Sequence, residues 1–405
     1  MLFTSKRVLL GVTGSIAAYK AADLASKLSQ MGVAVDVVLT GAATNFVTAL
    51  SFQSVTGRRA YVEEDLWGAE GHVLHIGLGK DADLIAIAPA TANTLAKLAH
   101  GQADNLLTLT ALASNAPLLL APAMDGGMYA HPATQANLKT LEERGATIIG
   151  PESGHLASGL AAVGRMTEPG ELLGHIRRLL GKGGPLAGRK LVVSAGGTQE
   201  AIDPVRVIAN RSSGKQGYAL AQAAIDLGAE VVLVSGPSAL AAPVGAELVR
   251  VSSAEQMKEA VLAACKDADA LVMAAAVADF RPSTAAKQKI KRAKGAPTIE
   301  LVATPDILAE VAALKSKKLK VRVGFAAESQ DLLKNAQAKL KEKGLDLIVA
   351  NDISAEDAGF EVDTNKVVLL DKGGGQEELP LMSKAGVAEA VMERVVKLLG
   401  QSAGL

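Results

Sequence analysis

The sequence predicts an α/β protein of two doubly wound, mostly parallel sheet domains, and three observations carry that prediction. Short apolar runs alternate with amphipathic segments of helical length, and the alternation starts afresh near residue 190. Forty glycines and an aromatic content of 3% suit a fold with many tight strand-to-helix turns. Between the two series lies Gly181-Lys182-Gly183-Gly184-Pro185-Leu186-Ala187-Gly188, where glycine and proline interrupt both periodicities. That stretch predicts a first domain over 1–181, a linker over 182–188 and a second domain over 189–405.

In the first domain, apolar runs predict strands at 8–10, 33–39, 84–88, 117–121 and 147–149. Helical spacing predicts helices at 17–31, 44–56, 91–98, 105–113 and 134–144, with a further amphipathic run at 171–180. The second domain repeats the scheme. Strands are expected at 190–194, 230–235, 270–274, 321–325 and 347–350, with 367–370 as a late hairpin strand. Helices are expected at 217–227, 254–266, 305–314, 331–343 and 385–399. Thr304-Pro305-Asp306 reads as an N-cap with proline at the first helical position.

Composition narrows the function. The 405 residues give each domain a sizeable core at 49% hydrophobic content. Basic and acidic residues balance at 42 each, so no global field favours nucleic acid or anionic membrane, and phosphate binding must come from local sites. One cysteine, Cys265, excludes an intramolecular disulfide framework and fits a reducing cytoplasm. No run approaches the roughly 20 apolar residues of a membrane span, and the expectation is a soluble cytoplasmic protein.

Ligands of doubly wound sheets bind beyond the carboxyl ends of the strands, so the loops there are the places to search. The first reads GVTGSIAAYK over 11–20: Gly14 frees the backbone to approach a ligand, and Ser15 with the first helical amides can hold a phosphate. It is neither a GxGxxG fingerprint nor a Walker A loop, and an ordinary capped turn has the same composition. Thr40 follows the second predicted strand, Thr91, Ala92, Asn93 and Thr94 of PATANT follow the third, and PAMDGGMY over 122–129 follows the fourth. Hydroxyls, an amide and exposed backbone thus gather on one sheet edge, as a polar cofactor with a phosphate tail requires.

These motifs, with His75-Ile76, Ala103-Asp104-Asn105 and the ASG and GRM triplets between Ala157 and Met166, resemble the flavin-dependent cysteine decarboxylases that act on phosphopantothenoylcysteine. The resemblance covers the whole first domain and implies a flavodoxin-like or Rossmann-like flavoprotein fold. It implies that FMN oxidises the substrate thiol to a thioaldehyde, that carbon dioxide is then lost, and that the reduced flavin returns a hydride to the enethiol. It further implies FMN contacts at Gly14, Ser15, Thr40 and 91–94, substrate contacts at Asp125 and Met128, and His75 as base or proton carrier. An isolated histidine is more often a satisfied structural side chain, and His72 with His75 lacks further ligands for a metal.

Two positions depart from the family. Where PAMN is usual, this chain has Asp125, which when ionised only accepts hydrogen bonds and repels a carboxylate. Either Asp125 is protonated in its pocket or it takes another role. Where a flap cysteine is usual, the chain has Ser158, a far weaker acid than a thiol of pKa near ~8.5. Ser158 is expected to relay a proton, with His155 as its source.

In the second domain, GGT, IDPVR, IANRSSGKQG, AAAVADF, KIKR, GFAAE and NDI follow one another as in phosphopantothenate:cysteine ligase, and the resemblance spans essentially the whole domain, with a Rossmann-like fold. Together the halves resemble the fused bacterial bifunctional enzyme of coenzyme A synthesis. The implied chemistry is activation of a carboxylate by CTP to an acyl-cytidylate, then attack by the cysteine amine. Residue by residue, Asn210 and Lys289 match catalytic positions and Arg206 a substrate contact. Met273, Ala274, Ala275, Asp279, Lys289, Pro305, Asp306, Ile307, Leu308, Phe325, Lys339 and Lys343 match CTP contacts, with Asp279 also the Mg2+ ligand. By composition alone, Lys339 and Lys343 read as a solvent-facing pair, RSSGKQG as a weak phosphate cradle, and the 287–294 basic cluster as either a solvated loop or a lid over triphosphate.

The partners implied are small molecules, namely 4'-phosphopantothenate, cysteine and CTP, with no nucleic acid and no membrane. The resemblance also implies a homo-oligomer built from trimeric flavin domains and dimeric ligase domains. The alternative is a flavin-binding regulatory or scaffold protein whose decarboxylase chemistry is lost through Ser158 and Asp125.

Overall fold

A computed structural model of the chain describes residues 2–68, 71–291, 298–314, 316–328, 331–352 and 362–401. It divides into two compact units, Met1–Leu180 and Gly181–Leu405.

The first unit is built on β1 (Arg7–Val12), β2 (Ala34–Leu39), β3 (Ala60–Tyr61), β4 (Leu84–Ala90), β5 (Leu118–Pro122) and β6 (Thr147–Ile148). These run parallel in the order β3-β2-β1-β4-β5-β6, so the order reverses between β1 and β4. Both faces are covered, which is why the strands read as unbroken apolar runs. On β1, Val8, Leu10 and Val12 enter one core with Leu24, Leu28 and Ile176, whereas Leu9 enters the other with Ile85, Leu95 and Leu107.

The covering helices are α1 (Ala18–Gln30), α2 (Ala49–Thr56), α3 (Gly71–Asp81), α4 (Ala92–His100), α5 (Leu106–Leu112), the short α6 (Gly126–Ala130), α7 (Pro132–Glu143) and α8 (Pro169–Gly181). A hairpin, β7 (Glu152–His155) with β8 (Ala161–Arg165), rises between α7 and α8 in the chain. It lies close on the loop after β5: Met124 N–H donates to Gly164 O at 3.0 Å, and a Cβ on Gly164 would sit 2.1 Å from Met124 O.

The second unit has an eight-stranded sheet. In chain order its strands are β9 (Lys190–Ala195), β12 (Glu230–Ser235), β13 (Ala246–Arg250), β14 (Ala270–Met273), β17 (Val321–Glu328), β18 (Leu347–Asp352), β20 (Val367–Asp371) and β21 (Gln376–Glu378). Small two-stranded antiparallel pairs supply the remaining strands: β10 (Gln199–Ala201) with β11 (Val207–Ala209), β15 (Phe280–Pro282) with β16 (Leu301–Ala303), and β19 (Thr364–Asn365) with β22 (Met382–Ser383). The sheet order is β13-β12-β9-β14-β17-β18-β20-β21, parallel through β18 and antiparallel beyond it. Its six parallel strands follow the same 3-2-1-4-5-6 order as the first unit, the Rossmann arrangement. Helices α9 (Lys215–Asp226), α10 (Ala254–Cys265), α11 (Ile307–Ala313), α12 (Leu332–Glu342) and α13 (Lys384–Gln401) complete it.

Residues 182–188, expected as a linker, pack closely on the second unit: Leu186 is buried, its N–H donates to Leu227 O at 2.9 Å, and a Cβ on Gly184 would meet Leu227 O at 2.5 Å. The glycines there permit close packing on the end of α9 rather than flexibility. Pro305 is not the first residue of α11, because Asp306 is the cap, accepting from Ala309 N–H at 3.1 Å. The late hairpin strand expected at 367–370 forms over 367–371, pairing antiparallel with β21 in the hairpin and also with β18, which adds it to the main sheet.

Candidate functional sites: one cavity at each switch point

In the first unit, the loops after β1, β2, β4 and β5 enclose a cavity of about 550 Å³. Gly14, Ser15, Thr40, Thr91, Ala92, Asn93, Thr94 and Met128 all line it, as the motif reading expected. Each is held by local geometry. Thr13 donates to Pro89 O at 2.7 Å and accepts from Thr91 N–H at 3.0 Å, tying the β1 loop to the β4 loop across the switch point. Thr91 caps α4 by accepting from Thr94 N–H, and Asn105 caps α5 by accepting from Thr108 N–H at 2.9 Å. A Cβ on Gly14 would lie 2.5 Å from the Ala42 Cβ, so these two loops meet closely only because residue 14 has no side chain.

Sequence reasoning missed Glu63 and Lys97 in this lining and gave no site role to Asn105 of the Ala103-Asp104-Asn105 motif. Burial raises the Glu63 carboxyl above its usual range despite the bond it accepts from Leu106 N–H at 3.1 Å. Only its contact across 43 residues brings it to the site, which no local pattern reveals.

Asp125 and Ser158 do not line the cavity but meet each other beside it. Asp125 caps α6 by accepting from Gly127 N–H at 3.0 Å, and Ser158 donates its hydroxyl to Asp125 Oδ2 at 2.7 Å. These two bonds, that from Ser158 foremost, hold the Asp125 carboxyl below its usual 3.8, so it is ionised near neutral pH. Ser158 turns its hydroxyl to Asp125, a partner that the sequence reading did not give it. His75 lies on α3, outside the cavity lining, and its Nδ1 is buried without a hydrogen-bond partner.

The second cavity, about 850 Å³, opens where β9 and β14 part. Asn210, Met273, Ala274, Ala275, Asp279, Pro305, Asp306, Ile307, Leu308, Phe325, Lys339 and Lys343 all line it, together with the 211–217 loop. Its floor is backbone, which explains the alanine run. Ser194 Oγ accepts from Ala274 and Ala275 N–H at 3.1 Å each, Thr198 accepts from Ala278 N–H at 2.9 Å, and Asn210 Nδ2 donates to Val277 O at 3.0 Å. Asp306 and Lys343 form an ion pair at the rim that raises the lysine and lowers the carboxyl against its desolvation. Lys339, which is exposed, and the partly buried Lys343 both line the cavity.

Asn351, Asn365 and Lys384 also line this cavity and were not foreseen as site residues: Asn351 belongs to the NDI motif at the end of β18, whereas Asn365 on β19 and Lys384 at the start of α13 carry no motif. Arg206 and Lys289 lie outside it. Arg206 donates to Asp203 Oδ2 at 2.9 Å and to Ile290 O at 3.3 Å, while Lys289 is exposed. Arg292 and Lys294 of the basic cluster lie outside the described residues. Among the described residues no three His, Cys, Asp or Glu side chains group as a metal site, and no helix is long and apolar enough to cross a membrane.

Two Rossmann-type modules, each with a cavity at its switch point floored by backbone and ringed by polar loops, define the class: a two-site α/β protein for phosphorylated ligands. Residues 3–181 match the Flavoprotein family model, and residues 186–399 match the model described as DNA/pantothenate metabolism flavoprotein C-terminal domain. The chain is 45% identical over 404 residues to the Coenzyme A biosynthesis bifunctional protein CoaBC of Bacillus subtilis, covering 99% of both chains. It is 46% identical over 394 residues to that of Vibrio cholerae, covering 96% of this chain and 98% of the relative. A solved C-terminal domain of a protein of that name is 40% identical, covers 54% of this chain and 98% of its own, and has a TM-score of 0.46. The chain belongs to the family of coenzyme A biosynthesis bifunctional proteins.

Proposed function

We propose that the second unit joins 4'-phosphopantothenate to cysteine at the expense of CTP, and that the first unit decarboxylates the product, 4'-phosphopantothenoylcysteine, to 4'-phosphopantetheine with FMN. The observation that carries the ligase half is the second cavity, where four separate loops converge the 273–275 backbone, Asp279, the 305–308 turn and Lys339 with Lys343. A carboxylate is a poor electrophile, and exchange of its oxygen for cytidylate supplies a leaving group. Backbone N–H groups and lysines neutralise the departing pyrophosphate. A Mg2+ ion fits this donor set, since it is commonly held by one carboxylate and substrate phosphates rather than a protein cage, and Asp279 is the carboxylate available. Asn210 sits where it can bind the acyl-cytidylate, and Lys289 supplies further positive charge.

The first cavity fits a flavin mononucleotide in size, in its hydroxyl and amide donors at two helix starts, and in the side-chain-free approach at Gly14. Bound there, the flavin supplies two-electron oxidation of the substrate thiol and its later reversal. Ser15, Thr40 and 91–94 hold the cofactor, Met128 bounds the substrate side, and His75 carries the proton leaving the thiol. The ionised Asp125 is an acceptor and orients Ser158. That same bond favours a second reading in which the first unit binds flavin without decarboxylating, because the hydroxyl in the donor position is committed to a carboxylate.

One coupled assay decides. Purified protein incubated with phosphopantothenate, cysteine, CTP and magnesium should release CMP and carbon dioxide. Absence of CMP rejects the ligase, CMP without carbon dioxide selects the second reading, and equal turnover with ATP rejects CTP preference. Chelation by EDTA should stop CMP release. The expected assembly is a homo-oligomer of trimeric flavin and dimeric ligase modules in the cytoplasm, tested by mass measurement in solution.

A further inference from the structure

The tip of the β10–β11 hairpin, Ile202-Asp203-Pro204-Val205-Arg206, contains a carboxylate whose side chain has 0% exposure. All of its acceptor directions are used. Asp203 Oδ1 accepts from Val205 N–H at 2.8 Å and Arg206 N–H at 2.9 Å, shaping the turn. Oδ2 accepts from Arg206 Nη1 at 2.9 Å and from Ile290 N–H at 3.2 Å, 87 residues away. Two more bonds fasten the same segment: Ala286 N–H to Ile202 O at 2.9 Å, and Arg206 Nη1 to Ile290 O at 3.3 Å. Lys289 therefore sits between two anchored residues, although its own side chain is exposed. The other end of the hairpin leads directly into Asn210, which is itself fastened to Val277.

We infer that Asp203 is a positioning residue of the ligation site, clipping the segment that bears Lys289 onto the turn that bears Arg206, so that both cations are presented from one piece. A long lysine loses much rotamer freedom when it meets a phosphate, and fixing its backbone beforehand removes part of that cost. The inference rests on the ligase reading above for the roles of Arg206 and Lys289. The clip itself rests on the hydrogen bonds alone.

Asp203→Asn keeps one oxygen for the turn but sets an amide against Ile290 N–H and the guanidinium, opening the far half of the clip. Asp203→Ser keeps a turn-forming acceptor and removes that half outright, so it serves should Asp203→Asn fold poorly. With the full chain, either variant is expected to lower kcat/KM for CMP release about tenfold in the wild-type background and much less in a Lys289→Gln background. Trypsin cleavage after Lys287, Lys289 and Lys291 should become several-fold faster without a general change in digestion. Equal losses in both backgrounds, or unchanged cleavage at these lysines, overturn the proposal. If the wild-type chain releases no CMP, the ligase reading falls, and the cleavage comparison still decides the clip.

Discussion

Ser158 and Asp125 are 33 residues apart in the chain and 2.7 Å apart in the fold. Each departs from its family's pattern, and their pairing makes one unit of the two departures. If Ser158 is the donor to the enethiol, Ser158→Cys should raise the ratio of saturated thiol to enethiol in a single turnover by about tenfold, since a thiol is the better acid. An unchanged ratio would place the donor elsewhere. His175 offers a test by pH. Burial pushes its imidazole below the usual 6.5, so between the lowered folded value and 6.5 the native state binds fewer protons than the unfolded state. Stability of the first unit is therefore complete above 6.5 and declines as pH falls through that window. The thermal midpoint should drop between pH 7 and pH 5 in the wild type, and the slope should flatten in His175→Gln. Burial also pushes the Cys265 thiol up to about 12, so a thiol reagent should label it only after unfolding.

One device recurs among the elements. An aspartate immediately before a parallel strand accepts from the first residues of its neighbour: Asp83 from Arg7 N–H at 2.8 Å, Asp269 from Lys190 N–H at 2.9 Å, Asp346 from Arg322 N–H at 2.8 Å. In each pair the same residue's carbonyl accepts the aspartate N–H, so the ladder is closed at its lower end and register is set. Asp269→Ala strands the Lys190 N–H and should cost about 2 kcal/mol by denaturant unfolding, with Asp269→Asn costing less. The helices and central strands were predictable because apolar periodicity and caps such as Thr91, Asn105 and Ser253 are local. Helix α3 was not, because Gly77 and Gly79 weaken its pattern. Its reason is packing: a Cβ on Gly79 would stand 3.0 Å from Thr110 O of α5. The hairpin β7–β8 and edge strand β13 escaped for a related reason, since partly exposed strands lack a continuous apolar run.

For the whole molecule, two units with their own cores predict separable chemistries. His75→Asn should abolish carbon dioxide release while CMP release continues. Lys289→Gln should slow CMP release without abolishing it, while carbon dioxide release from directly supplied 4'-phosphopantothenoylcysteine continues unchanged. A variant that impairs both equally would argue against independent sites.

By itself the sequence determined the class of fold and placed about half of the residues that line the two cavities, because switch-point loops follow strands that local periodicity locates. Only the tertiary structure decided that 182–188 packs on the second unit, that Asp125 accepts the Ser158 hydroxyl, and that Asp203 joins Arg206 to the Lys289 segment. Those facts depend on hydrogen bonds between residues far apart in the chain. A polar side chain carries no mark of its partner until the packed core brings the two loops together.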